Sequence, residues 1–165
     1  MKNKKTIENL WDVSIKFFNK HPEYISNNNL IGFISNNDGK TYNLGHFWSN
    51  FEIVNLNLWR SKPYKEYFDY LDHKGGFFYE RWGDAPVHSI AASLLLPKDK
   101  FHHFADIGYR HNPNDNCPID SKLWEENNCE CDPNKDFTFH KYSCGTQFYD
   151  AAGLTKPIGW EKHRG

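Results

Sequence analysis

Residues 75–89 read Gly75-Gly-Phe-Phe-Tyr-Glu-Arg-Trp-Gly-Asp-Ala-Pro-Val-His-Ser89. The succession of residue types predicts a strand-to-helix junction. The glycine pair stops the preceding helix, because glycine enters the left-handed region that closes a helix at little cost. Phe77-Phe-Tyr79 is a short aromatic run that predicts a buried strand. Asp84 offers a side-chain acceptor to the free N–H groups of a new helix. Pro86 falls in its first turn, where a missing N–H is harmless. Val87, Ile90, Ala91, Leu94 and Leu95 then recur at helical spacing, and Pro97 ends the helix.

Outward from this junction the chain alternates. Ser61 and Pro63 predict the start of an upstream helix with Tyr64, Tyr67, Phe68 and Leu71 along its buried stripe. Before it, residues 41–60 are rich in aromatics and Asn without a clean period. Asn36-Asn-Asp-Gly39 has turn chemistry, and Leu30-Ile-Gly-Phe-Ile34 predicts a short buried strand. A first helix is expected from a cap at Thr6, with Ile7, Leu10, Trp11, Ile15 and Phe18 on one face, ended by Pro22. After a short turn expected at 101–105 the chain is loops, with a strand-like piece at Phe137–Phe139. Helix, strand, helix, strand, helix, then loops is an α/β pattern, expected as one domain over residues 1–165.

The run Tyr79-Glu-Arg-Trp-Gly-Asp84 sets two carboxylates, a guanidinium and an indole where ligands bind in open α/β sheets, beyond strand ends and at a helix N-terminus. Tyr79, Glu80, Arg81, Trp82 and Asp84 are therefore candidates, and His88 follows one turn into the helix. The plainer alternative is that Asp84 only caps and Glu80–Arg81 is a surface pair. Glu52, between Phe51 and Ile53, is a carboxylate in an apolar run, where partial desolvation would tune its acidity. His111, in Gly108-Tyr-Arg-His-Asn-Pro113, is a single loop imidazole of the kind that ligates borderline metals. No serine-nucleophile elbow, phosphate-binding glycine loop or zinc-protease motif occurs. There is no D-x-D pair, and the one E-x-D, Glu130-Cys-Asp132, lies between two cysteines.

Composition excludes other classes. The net charge is −1, so no basic field exists to neutralise a phosphate backbone and nucleic-acid binding is not expected. No apolar run reaches the roughly 18 residues of a membrane span, and no apolar region follows the basic start, so the chain as written is expected in the cytosol. Aromatics make up 17% of residues, which suits a core or a sugar-stacking cleft. The cysteines point elsewhere. Cys117, Cys129, Cys131 and Cys144 cluster in a loop-rich stretch, which suggests disulfides and an oxidising compartment. Two connectivities are open, each joining one of Cys129 and Cys131 to Cys117 and the other to Cys144. Free thiols are the alternative, and zinc fits less well because the C-x₂-C knuckle spacing is missing.

With residues 75–89, four further segments carry a resemblance: His46-Phe-Trp-Ser-Asn-Phe-Glu-Ile53, Tyr67-Phe-Asp-Tyr-Leu-Asp72, Asp106-Ile-Gly-Tyr109 through Asn116-Cys-Pro118, and the tail Tyr142-Ser-Cys144 with Gly153-Leu-Thr-Lys-Pro157. Together they resemble the fungal α-1,2-mannosyltransferases of the secretory pathway over nearly the whole chain from Thr6. The resemblance implies a retaining, manganese-dependent enzyme in the Golgi lumen, anchored by an N-terminal membrane helix. Such enzymes transfer mannose from GDP-mannose to mannose-terminated N- and O-linked glycans. It implies Glu52 as nucleophile, Asp84 orienting the acceptor with Trp82 stacked on its ring, His111 as manganese ligand, and Glu80 to His88 lining the acceptor side. The fold implied is the C-terminal part of a GT-A-like mixed sheet flanked by helices, with a loop-rich, disulfide-stapled tail. Anchor, stem and nucleotide-binding half would lie upstream of Met1, so the expectation is an acceptor-side half with an exposed apolar face. Its rival is an inactive fragment or a weak mannoside-binding module.

Overall fold

The computed structural model describes residues 4–165. They form two compact units, one ending at Lys100 and the other Phe101–Gly165. In the first unit the order is α1 (Leu10–Lys20), α2 (Ile31–Ile34), β1 (Ser35–Asn36), β2 (Thr41–Tyr42), α3 (Leu56–Trp59), α4 (Lys62–Lys74), α5 (Gly76–Tyr79) and α6 (Asp84–Leu95). The second unit holds β3 (Tyr109–His111), β4 (Asn114–Asn116), α7 (Ser121–Glu126) and α8 (Gly145–Ala152). Both sheets are two-stranded and antiparallel, pairing β1 with β2 and β3 with β4.

The first unit is built on three long helices, α1, α4 and α6. α1 turns Leu10, Trp11, Phe17 and Phe18 inward, α4 turns Tyr64, Tyr67 and Leu71, and α6 turns Val87, Ile90, Ala91 and Leu94. Tyr67 is fully buried, and a buried phenol needs a partner. The Ser14 hydroxyl donates to the Leu10 carbonyl at 2.7 Å, so Ser14 accepts from the Tyr67 hydroxyl at 2.8 Å. The C-terminal carbonyls of α6 are taken by a loop: Ser26 N–H donates to Leu94 O and Leu30 N–H to Ser93 O, both at 2.9 Å. Those bonds satisfy acceptors that a helix end otherwise leaves open.

The start and stop of α4 and the stop of α6 follow the sequence reading, whereas Asp84 does not cap α6 as expected. The Ser61 side chain caps α4, accepting from Tyr64 N–H, and Gly75 closes it at φ 75°. Pro86 lies in the first turn of α6, with Gly83 at the N-cap and Asp84 as the first helical residue. Five further local expectations need correction. Residues 30–34 are not a strand: the Asn29 side chain accepts from Ile31 N–H at 2.9 Å and starts α2. Leu30, Phe33 and Ile34 are then buried at helical spacing, an outcome that a short apolar run cannot distinguish from a strand. Phe77–Tyr79 is also helical, because Phe78 and Tyr79 N–H both donate to the Gly75 carbonyl, at 2.9 and 3.0 Å. Thr6 lies in a 3-10 turn, and α1 begins after Asn9. Phe137–Phe139 forms no strand: Asp136 makes an isolated bridge to Asp115, and the turn tightens at His140 N–H to Phe137 O. The expected short turn comes at Lys98–Lys100, before residues 101–105.

In the second unit Cys117 and Cys131 form a disulfide across a sequence separation of 14, realising half of one expected connectivity. Cys129 stands outside that bridge as a thiol. Asp136 is buried beside it, its Oδ1 accepting from Cys117 N–H at 3.1 Å and from the Thr138 hydroxyl at 2.8 Å.

Candidate active site on the first turns of helix α6

Asp84 and His88 stand four residues apart on α6 and so share one helix face. The segment 47–52, which shows no period in sequence, is laid across that face by three contacts to α6. Phe47 N–H donates to the buried Ser89 hydroxyl at 2.8 Å. The Ser49 side chain hydrogen-bonds to the Asp84 carboxylate. Glu52 Oε1 comes to 3.7 Å from His88 Nδ1. The result brings the candidates Glu52, Asp84 and His88 together.

The walls come from two other helices. Trp59, on α3, stacks on the His88 ring at 4.4 Å between centroids, and Tyr64, on α4, meets it edge-on at 6.0 Å. Burial pushes the Tyr64 hydroxyl up to about 12, with the Glu52 charge adding to it, so Tyr64 stays a neutral donor. The Ser49 hydrogen bond holds the Asp84 carboxyl below the usual carboxylate range, helped by the N–H groups opening α6 and by His88. A carboxylate kept ionised at a helix N-terminus can accept hydrogen bonds from ligand hydroxyls. His88 Nδ1 is buried and at 3.7 Å lies beyond hydrogen-bond reach of Glu52.

Glu80 and Trp82 point inward. Glu80 accepts from Asn9 N–H at 3.1 Å, Asn9 Nδ2 at 2.7 Å and the Trp82 indole N–H at 2.8 Å. Desolvation raises its carboxyl, but these hydrogen bonds outweigh that and leave it below the ordinary range. Trp82 is 5% exposed. Its ring packs on Gly76, where an added Cβ would sit 2.1 Å from the indole. Arg81 N–H donates to Thr6 O at 2.7 Å while its side chain is exposed, and Tyr79 is 90% exposed.

His111 ends β3 in the second unit, exposed and in register with Asn114. Among the described residues no three His, Cys, Asp or Glu side chains converge as a metal would require. A manganese ion prefers about six mostly oxygen ligands, so one imidazole does not fit the ion by itself. The second unit also carries a small pocket lined by His103, Asp136, Thr138 and Tyr149, among others. There His103 Nε2 lies 2.6 Å from the Tyr149 hydroxyl. Burial lowers the His103 pKa, which favours the neutral ring here.

Sequence reasoning missed Ser49, Trp59 and Ser89. Ser49 lies inside the quoted 46–53 stretch, where a hydroxyl three residues before a candidate carboxylate is the available signal. Trp59 and Ser89 carry no such signal.

The chain matches the glycolipid 2-alpha-mannosyltransferase family over residues 1–153. It is 67% identical over 159 residues to the glycolipid 2-alpha-mannosyltransferase of Saccharomyces cerevisiae, a match covering 96% of this chain and 36% of that protein. The X-ray structure of the mannosyltransferase Ktr4p from S. cerevisiae in complex with GDP superposes with a TM-score of 0.80 at 36% identity, covering 94% of this chain and 42% of that one. Core-mannan synthase A of Aspergillus fumigatus, in a Mn/GDP form, gives a TM-score of 0.80 at 37% identity, covering 94% and 44%. The helices and small sheets are thus part of a GT-A-like fold. The chain spans less than half the length of these relatives.

Proposed function

The chain belongs to the glycolipid 2-alpha-mannosyltransferase family, and from that premise we propose that it is the C-terminal, acceptor-side half of a retaining α-1,2-mannosyltransferase. The reaction moves mannose from GDP-mannose to a hydroxyl of a mannose-terminated glycan, in the N- and O-glycosylation of the Golgi lumen. The observation that carries this reading is the Ser49–Asp84 and Glu52–His88 pairing on one turn of α6.

In this reading Glu52 faces the anomeric carbon and stabilises or traps the oxocarbenium ion that forms as the bond to GDP breaks, much as a retaining glycosidase uses its carboxylate. Asp84, kept ionised by Ser49, orients the attacking acceptor hydroxyl. His88, its ring set between Trp59 and Tyr64, stands 3.7 Å from Glu52. Tyr79 and Arg81 are exposed and take the acceptor, while Glu80 and Trp82 set the loop that carries them. His111 supplies one ligand to the divalent cation that a Mn/GDP relative suggests.

A chimera tests the reading. This chain replaces the matching stretch of the S. cerevisiae relative, which is 67% identical over it, and transfer from GDP-mannose to a mannoside is measured. Glu52→Gln is expected to lower kcat on the order of 10²–10³-fold with little change in melting temperature. A chimera that keeps full turnover with Glu52→Gln removes Glu52 from the chemistry. A second reading, a mannoside-binding module without transfer, is favoured by the lack of a metal-ligand cluster among the described residues. Mannoside binding by the unfused chain, unaccompanied by transfer, is its signature.

A further inference from the structure

Asp136 is 5% exposed and has no part in the reaction proposed above. Its Oδ1 is occupied, accepting from Cys117 N–H at 3.1 Å and from the Thr138 hydroxyl at 2.8 Å. Its Oδ2 is buried and meets no donor among the described residues. An acceptor left unmatched in a buried place is costly, so such an atom marks a position where another group donates. Asp136 lines the pocket of the second unit together with His103, Tyr149 and Asp120. We propose that this pocket is a binding site for a hydroxyl group of a small neutral polyol, such as one end of a sugar, with Asp136 Oδ2 as the acceptor. The inference goes beyond the proposed function and does not depend on it. The pocket residues all belong to the second unit, whereas Glu52, Asp84 and His88 belong to the first.

The chemistry of the walls selects this ligand class. Among the described residues no Lys or Arg lines the pocket, so an anion has no counter-charge there. Asp120 is a second lining carboxylate, and its Oδ1 is already taken by Lys122 and Leu123 N–H at 2.9 and 3.1 Å. A divalent metal lacks the three converging ligands it needs among the described residues. The burial that lowers the His103 pKa penalises a cationic ligand in the same way. His103 Nε2 and the Tyr149 hydroxyl lie 2.6 Å apart, and that hydrogen bond uses one proton. If Tyr149 donates, its oxygen can still accept. If His103 donates, the Tyr149 hydroxyl can still donate. A ligand hydroxyl both donates and accepts, so it can donate to Asp136 Oδ2 and meet Tyr149 in either sense, whereas an ammonium only donates. Ile119, Leu123 and Phe139 complete the lining with apolar surface, which suits the carbon framework of a sugar better than a bare ion.

The isotope-labelled full chain is titrated with methyl α-mannoside, with glycerol and with ammonium chloride at constant ionic strength. The amide of residue 117, which donates to Asp136, is followed by NMR. A polyol should shift that amide saturably, and ammonium should not. Saturation by glycerol marks a site for any polyol, and saturation by the mannoside alone marks a site for a sugar; both uphold the hydroxyl class. Tyr149→Phe keeps the ring and should weaken binding about threefold to tenfold, as loss of one hydrogen bond does. Asp136→Asn should weaken it about tenfold or more. Circular dichroism checks each variant, and Tyr149→Phe carries the test alone if Asp136→Asn does not fold. Asp84→Asn, in the first unit, should leave the shift intact. No saturable shift with either polyol overturns the proposal. So does saturation by ammonium, or a polyol shift indifferent to either pocket substitution in a folded chain. A shift abolished by Asp84→Asn assigns the ligand to the α6 site, which overturns this proposal and supports the proposed function. A chimera that transfers no mannose while the shift persists counts against that function and upholds the pocket.

Discussion

Asp84 is exposed, yet its carboxyl is held below the ordinary range, first by the Ser49 hydrogen bond and then by the amides of the α6 N-terminus. A lowered folded-state value means the folded chain releases this proton more readily than the unfolded chain. The associated stability is therefore present above the unfolded carboxyl value and is lost as pH falls through the lowered folded one. Ser49→Ala removes the first cause. The Asp84 titration, followed by carboxyl carbon NMR, should move toward higher pH, and the acid limb of transfer in the chimera should move with it. An unmoved Asp84 titration would show that Ser49 does not hold the carboxylate. At this scale the sequence exposed the reactive types, since Glu52, Asp84 and His88 are charged or titratable groups beside apolar ones. It concealed their partners. Ser49 and Trp59 acquire their roles only when segment 47–52 and α3 are folded against α6, and neither position has a periodicity that announces this.

Glu80 shows how a side chain that reads as a ligand can serve an element instead. Its carboxylate takes the backbone N–H and side-chain amide of Asn9, 71 residues away and at the N-cap of α1, together with the indole N–H of buried Trp82. A negative charge at a helix N-terminus is favourable, and an indole N–H left unsatisfied in a buried site is costly. Glu80→Ala should destabilise the chain by about 1–3 kcal/mol, read from the urea midpoint. Glu80→Gln should cost less, because the amide oxygen still accepts from the indole and Asn9 can turn its own amide to match. Equal losses for the two variants would argue against this hydrogen-bonded role. Helix boundaries at 61–97 were readable because serine, proline and glycine act locally. The mistaken strands at 30–34 and 77–79 were short apolar runs whose conformation was settled by Asn29 and Gly75 hydrogen bonds, and apolarity alone does not encode those.

Across the whole molecule, apolar material is unevenly shared. The first unit has three long helices with buried stripes, whereas the second has short elements, and its buried apolar residues are few: Cys117, Pro118, Phe139 and Tyr149. A loop-rich unit with so little apolar burial depends on cross-links. The cysteine cluster announced this in the sequence, though the pairing emerged only from the fold. The Cys117–Cys131 bridge closes a loop with a sequence separation of 14, and a loop near 15 residues stabilises by roughly 3 kcal/mol through the entropy removed from the unfolded chain. The bridge also fixes the backbone at Cys117, whose N–H donates to buried Asp136. Losing it should therefore loosen the Asp136 hydrogen bonds as well as lengthen the unfolded chain's reach. The expected outcome is that Cys117→Ser with Cys131→Ser lowers stability of the second unit by about 3 kcal/mol, while Cys129→Ser, a thiol outside the bridge, changes little. Hydrogen exchange resolved by residue separates the units: protection should fall at position 117 and at Phe137, whose N–H donates to Asp115 O, and persist in α1, α4 and α6. Protection that falls equally in those helices would mean that the bridge supports the whole chain rather than the unit that contains it.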